Sequence, residues 1–399
     1  MTVLGFVSVI GAIWWGIAIC ALLLSFVAAL CFPRPRYLTN PSKNLPPVTA
    51  IIPVKDFDPR FERAQTSLFS QNYPDLEILV AAAEQDSSAL DAVRRVQQEH
   101  PGVSSRIVWS QINRGVSPKL NNLWAPVDQA RDDLILTKDS NVVLEPQDVA
   151  AFVAHFGAGV GLVSTIPIAS EPQSPAAWIE AAIINCYYAR MLMLARVLGL
   201  GFGCGKIMLF RRSDMERAGG FQSLAGALGE DAALAAAMSS IGLRTVLADR
   251  VTRQPLGVRR LGEVWERQLR WKSIWRVQVP LVFAISVFGS ALLAAVAGAA
   301  AAPLIGLSPL TIAAATLACW FLLETCLCLF QGWPFSIWSP FAFLGREALD
   351  VLVWLRALTV SEVSWAGARY RLDKPVLMAP FDAKLAPIVQ QGAGTTDAL

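Results

Sequence analysis

Residues 3–32 contain no charged side chain, a run longer than the roughly 20 apolar residues that cross a bilayer as a helix. A removable secretory leader has a shorter apolar region with a basic residue ahead of it, so this run reads as a retained anchor. Whatever follows must then fold beside a membrane. Two further stretches, 281–303 and 310–331, are almost free of charge and read as two more spans, joined by a short loop at Gly306-Leu307-Ser308. Arg34, Arg36 and Lys43 follow the first run, and Lys272 and Arg276 precede the second. By the positive-inside rule this places the middle of the chain in the cytoplasm. Residues 341–360 are apolar but include Arg346, Glu347, Asp350 and Arg356. Charge inside a span is costly, so that segment reads as an interfacial or re-entrant helix.

Composition agrees. Hydrophobic residues make up 54% and charged residues only 16%, against about a quarter charged in soluble proteins. Most acids and bases lie in 40–277. The organisation expected is an anchor and linker over 1–40, a soluble-type domain over 41–277, membrane or interfacial helices over 278–372 and a tail over 373–399. A net charge of +3 with no basic run speaks against nucleic acid as a partner. The cysteines lie mostly in apolar segments, where cysteine behaves as a small hydrophobe. The two histidines, His100 and His155, offer no zinc spacing.

The middle reads as α/β. Residues 48–53, 76–82, 105–109 and 134–137 are short apolar, β-branched runs consistent with buried strands. They alternate with helical patterns over 59–70 and 88–99, which argues for a mostly parallel sheet. In such sheets ligands bind beyond the carboxyl ends of the strands, where Asp86 and Asp139 fall. Residues 175–200 form an apolar, aromatic helix, and periodicity leaves it as either core or a membrane-surface helix.

Five motifs can carry chemistry. Asp139, ending a strand, can bind a divalent ion bridging a diphosphate, since Mg²⁺ and Mn²⁺ prefer oxygen ligands; it can equally cap a turn. Asp86 can accept from a uracil N–H or a ribose hydroxyl, or cap the helix over 88–99. Gly115-Val-Ser-Pro-Lys119-Leu-Asn-Asn122 sets a lysine in a Gly- and Pro-shaped loop before a helix, an arrangement suited to phosphate. Gly229-Glu230-Asp231 opens an Ala-rich helix; its acids can be ordinary caps, or Asp231 can serve as a general base. Arg267-Gln-Leu-Arg270-Trp271 places two arginines at i and i+3 on one helix face. Their forks suit pyrophosphate, and the same face can rest on lipid headgroups.

Together these pieces resemble the D, D, D, (Q/R)xxRW signature of inverting glycosyltransferases, and within them the ceramide glucosyltransferase family. Further segments carry the likeness: Ile52-Pro53-Val54-Lys55, Gln71-Asn-Tyr73-Pro74, Gly203-Cys-Gly205-Lys206, Ala218-Gly-Gly-Phe221 and Ser364-Trp-Ala-Gly-Ala-Arg-Tyr-Arg-Leu372. The resemblance implies a cytoplasmic-facing GT-A domain, Rossmann-like and mostly parallel, between membrane helices at both ends of the chain. It implies transfer of a hexose, glucose first, from a UDP-sugar to a lipid hydroxyl, with inversion. Ceramide is the first acceptor; diacylglycerol or a hopanoid comes next. By the same resemblance Asp231 is the catalytic base. Pro53, Lys55, Asp86, Lys119, Asp139, Glu230, Arg267, Arg270 and Trp271 bind the donor, and Asp139 holds Mg²⁺ or Mn²⁺. The family usually has an acid where this chain has Asn141, so the ion loses a charged ligand. The Ala-rich composition points to a bacterial inner membrane. Two other readings remain open: a processive polysaccharide synthase, which would need more spans, and a membrane protein that binds nucleotide-sugar without transferring it.

Overall fold

The structure, a computed structural model, describes residues 3–33, 45–55, 60–85, 87–365 and 368–372. Asp86, most of the linker after the first apolar run and the tail from 373 onward lie outside the described residues.

The first helix, α1 (Val3–Leu30), is the uncharged run. Beyond it seven strands form one sheet: β1 (Val48–Val54), β2 (Leu76–Ala82), β3 (Ser104–Trp109), β4 (Leu134–Lys138), β5 (Val160–Pro172), β6 (Ile207–Arg211) and β7 (Arg244–Gly257). Their order is β3-β2-β1-β4-β6-β5-β7. Only β6 runs against its neighbours; every other pairing is parallel. Parallel strands are covered on both faces and therefore read as unbroken apolar runs, as β1 and β4 do.

One face is covered by α2 (Phe61–Phe69), α3 (Ser88–Glu99) and α5 (Asp148–Ala154), through Phe61, Leu68, Val93 and Phe152. The other is covered by α4 (Pro118–Asp128), α8 (Arg212–Arg217) and α9 (Glu230–Ser240), through Leu123, Met215, Leu234 and Met238. Ser117 caps α4 by accepting from Leu120 N, and Pro118 occupies its first turn, where a missing N–H costs nothing.

The apolar segment over 175–200 is mostly core as far as Ala195, while Val197, Leu198 and Leu200 at its end are exposed. It comprises α6 (Pro175–Ala182), a π-helical stretch (Ile183–Ala189) and α7 (Arg190–Val197). The Asn185 amide bonds both backbone groups of Ala169 in β5. On its opposite side Cys186, Ala189 and Met193 pack with Ala29, Phe32 and Leu327 of the apolar helices. This segment is the seam between the sheet and the membrane-type helices.

After β7 come α10 (Leu261–Gln278), α11 (Pro280–Ile285), α12 (Ala291–Ala301), α13 (Pro309–Gln331) and α14 (Ser339–Ala357), then a hairpin of β8 (Glu362–Trp365) and β9 (Ala368–Arg371). Among the described residues two helices, α1 and α13, are each long and apolar enough to cross a membrane. The span expected over 281–303 is a pair of helical pieces, Pro280–Gly289 and Ala291–Ile305, bent by 65°, as in a broken span or a re-entrant loop. The break has local causes. Gly289 lies flat on the Tyr187 ring, leaving no room for a Cβ. Ser290 caps the second piece by accepting from Leu293 N, and donates to Glu347.

The segment over 341–360, expected as an interfacial or re-entrant helix, is helical as α14 as far as Ala357. It turns Phe341, Leu344, Leu352 and Leu355 outward and buries Arg346 and Glu347. Arg346 pairs with Glu324 of α13 at 2.9 Å, so neither charge is left alone in an apolar setting.

Candidate active site

Three segments converge at the carboxyl ends of the parallel strands. Because β6 runs against β4, Lys138 faces Ile207, and the residues just beyond, Asp139 and Lys206, lie side by side. Asp139 N donates to Lys206 O at 3.0 Å. The start of α4 brings in Lys119, and the start of α9 brings in Glu230 and Asp231.

Lys119 joins all three. Its Nζ lies 2.6 Å from Asp139 Oδ1 and 2.9 Å from Glu230 Oε1, and donates to Gly205 O at 2.7 Å. Lys206 Nζ lies 3.0 Å from Asp139 Oδ2 and donates to Asn141 Oδ1 at 3.2 Å. Burial raises the Asp139 pKa, but Lys119 and Lys206 outweigh it and hold the carboxyl down at about 2. Beside them the fully buried Lys138 is lowered to about 7 by burial, with Asp139 opposing and Lys206 adding to the fall.

Asp231 is held by backbone donors: Gly205 N to Oδ2 at 3.0 Å and Ala232 N to Oδ1 at 2.8 Å. Burial first and the neighbouring Glu230 second push it up to about 6, against the pull of Lys119 and these two N–H groups. A carboxylate tuned towards neutrality is what a general base needs.

The glycines of the 203–206 segment follow from this crowding. A Cβ on Gly203 would run into the Asp231 carbonyl, and one on Gly205 would sit 3.1 Å from Lys119 Nζ and 3.2 Å from Glu230 Oε1.

Asparagines shape the rest. Asn121 accepts from Arg114 N and Gly115 N and donates to Gly115 O, fixing the loop ahead of Lys119. Asn122 donates to Val54 O and Ala81 O, tying the ends of β1 and β2 together. Pro53 is the penultimate residue of β1, and Lys55 lies one position beyond it, exposed.

Arg267, Arg270 and Trp271 lie on α10 and make none of their described hydrogen bonds or ion pairs with these acids. Arg267 pairs with the fully buried Glu180 at 2.5 Å. Arg270 donates to Ser364 O at 3.4 Å and lies over the Trp365 ring of β8; burial and then Arg267 lower it to about 10. Trp271 stands near Tyr188, whose hydroxyl donates to Gln268 at 2.7 Å.

The end of α10 does reach the acids' helix. Gln278 accepts from Gly229 N at 3.2 Å and donates to Gly229 O at 3.3 Å. Val116 and Leu228, from the loops carrying Lys119 and Asp231, pack in one cluster with Leu269, Ile274, Val363 and Tyr370. Gln278, Asn121 and Lys206 had no assigned role in the sequence reading. The partners of Gln278 and Lys206 come from distant parts of the chain, so only the fold identifies them, whereas Asn121 bonds within its own loop to Arg114 and Gly115.

The Asp139 position accommodates a divalent ion poorly. Mg²⁺ can bind through one or two carboxylates plus substrate phosphates, so the lack of any cluster of three acid, His or Cys ligands among the described residues does not decide the matter. What decides it is that each Asp139 oxygen already faces a lysine, and that Lys206 also takes the Asn141 oxygen.

A sequence profile described as "Glycosyl transferase family 21" matches residues 13–376. Ceramide glucosyltransferase 1 of Caenorhabditis elegans is 24% identical over 219 residues, 54% of this chain and 47% of that protein. Ceramide glucosyltransferase 3 of the same organism is 21% identical over 366 residues, 88% of this chain and 78% of that protein. The chain thus spans about half the length of the first and over three quarters of the second. Among solved structures, a mannosyltransferase from Pyrobaculum calidifontis in complex with GDP-Man and Mn²⁺ superposes with a TM-score of 0.50 at 18% identity, covering 88% of this chain and 99% of that one. The likeness is one of fold.

Proposed function

This chain belongs to glycosyl transferase family 21, and on that footing we propose that it moves a hexose, glucose first, from a UDP-sugar to the hydroxyl of a membrane lipid, with inversion. Ceramide is the first acceptor because relatives bear that name; diacylglycerol and hopanoids are the next. The observation that carries the reading is the setting of Asp231: half-buried, raised to about 6 and aimed by two N–H donors, beside Lys119, Asp139 and Glu230.

In this reading Asp231 takes the proton of the acceptor hydroxyl as its oxygen attacks C1, opposite the departing UDP. Positive charge at Lys206 and Arg270 offsets the charge developing on the leaving diphosphate. Asp86 is assigned to the uracil or ribose, and Pro53 and Lys55 to donor binding, as the family resemblance implies. Arg267 shapes the site through Glu180, and Trp271 with Tyr188 lines the acceptor side. The apolar helices α1 and α13 keep the site beside a bilayer, with the catalytic domain proposed to face the cytoplasm of a bacterial inner membrane.

Membranes carrying the chain, given labelled UDP-glucose, UDP-galactose or UDP-GlcNAc with ceramide or diacylglycerol, should form one new labelled glycolipid. Asp231→Asn should lower turnover by about 10²–10⁴-fold while UDP-sugar binding persists. Loss of binding together with turnover would make Asp231 structural and sink the assignment.

A further inference from the structure

We infer that Lys206 is the resident cation of the donor site: its ammonium occupies the place between Asp139 and Asn141 that a divalent ion would take, so the nucleotide-sugar is bound without metal. The inference rests on the reading of this site as one for a nucleoside diphosphate sugar.

Geometry makes the case. A strand-end Asp with an oxygen-bearing residue two positions on presents two oxygens to one point. At that point lies Lys206 Nζ, 3.0 Å from Asp139 Oδ2 and 3.2 Å from Asn141 Oδ1. The backbone fixes it there, because Asp139 N donates to Lys206 O at 3.0 Å and β4 and β6 are paired immediately alongside. An ammonium is a compact charge with three N–H donors. Lys206 directs donors at Asp139 and Asn141 and retains one for a phosphate oxygen.

Lys119 differs. Its three donor directions go to Asp139, Glu230 and Gly205 O, so it binds the protein to itself. The lysine expected to hold phosphate therefore organises the site, and the lysine given no role faces the ligand. Asn141 fits the same logic. A second carboxylate there would suit a dication, whereas a neutral amide beside a monovalent ammonium leaves less surplus negative charge to repel the diphosphate.

UDP binding to the full chain in detergent micelles, measured calorimetrically in EDTA and again in Mn²⁺ with bound Mn²⁺ counted by electron paramagnetic resonance, tests this. Wild type should bind UDP equally in both, within about twofold, and retain no stoichiometric Mn²⁺. Lys206→Ala should lose about tenfold or more in EDTA, the loss of one charge-assisted contact. It should recover in Mn²⁺, because Asp139 and Asn141 then face a space an ion can enter. Lys206→Arg keeps the charge and should stay indifferent to metal.

Wild type that loses about tenfold in EDTA and regains it with Mn²⁺, or that holds one Mn²⁺ per UDP, overturns the inference. So does a Lys206→Ala chain weakened equally with and without Mn²⁺. Wild type that binds no UDP in either condition overturns the donor-site reading itself, and the inference falls with it.

Discussion

In the proposed role Asp231 must be ionised to accept a proton, and its carboxyl sits at about 6 rather than the ordinary 3.8 because burial and Glu230 both disfavour the charge. Turnover should therefore rise with pH and level off above about 6. Stability moves the other way. The folded chain holds a proton on Asp231 that the unfolded chain has released, so the fold loses stability as pH rises through the window between 3.8 and about 6. Glu230→Gln removes the like charge, so the acid limb of a pH–rate profile should move to lower pH. An unmoved limb would mean that another group titrates. Asp139, Lys119 and Asp231 could be picked out from the sequence because each ends a run or opens a helix, positions where polar side chains meet ligands. Lys206 could not, since its reason for being charged lies in Asp139 and Asn141 across a β4–β6 pairing that the sequence does not announce.

At the scale of elements, α10 is held by α14. Lys272 is fully buried and lies 3.0 Å from Asp350 Oδ1, while Val264 of α10 packs on Leu349 and Val353. Breaking such a pair strands a buried charge, at a cost of about 3–5 kcal/mol. Asp350→Ala should therefore lower the melting temperature in detergent sharply, whereas Lys272→Met with Asp350→Leu should recover most of the loss, because packed apolar pairs often replace buried ion pairs without penalty. A double variant no better than the single would mean that the charges do more than neutralise each other. β3 is largely exposed and shows only Ile107-Val108-Trp109, but β1 and β4 were readable because they are buried, unbroken apolar runs. Neither β5 nor β7 is. The segment Arg244–Gly257 carries Asp249, Arg250, Arg253 and Gln254, and it buries Arg250 beside Asp148 of α5 at 3.4 Å. Its polarity masks a strand that pairing and ionic contacts hold in place. The π-helical stretch is likewise invisible to a 3.6-residue period, yet it turns Tyr187 and Tyr188 towards α10.

At the scale of the whole molecule, the soluble-type middle packs against chain from beyond the boundary expected near 277, where α10 ends. Chain that returns after the apolar helices, in β8 and β9, packs Val363 and Tyr370 against Val116, Leu228 and α10, and sets Trp365 against Arg270. The membrane side is tied in as firmly: Arg190 in the seam donates to Ser25 of α1 at 2.6 Å, and Arg346 joins α14 to α13. The apolar helices are thus tied to the seam and to α14, after which the chain returns as the hairpin. A chain ended after Val360 keeps every described helix and the seven-stranded sheet but lacks the hairpin. It should still insert in membranes, and should lose about tenfold or more in UDP-sugar affinity as Arg270 loses the ring beneath it and the loops of Lys119 and Asp231 lose their cover. A chain ended after Leu372 retains the hairpin and should match the full chain. If the two truncations bind and turn over alike, the hairpin is only a surface ornament; if both fail, residues beyond 372 carry the effect. Loss confined to the shorter chain would show that the closing element of the proposed donor site comes after the membrane helices in the chain yet packs beside the loops that hold its acids.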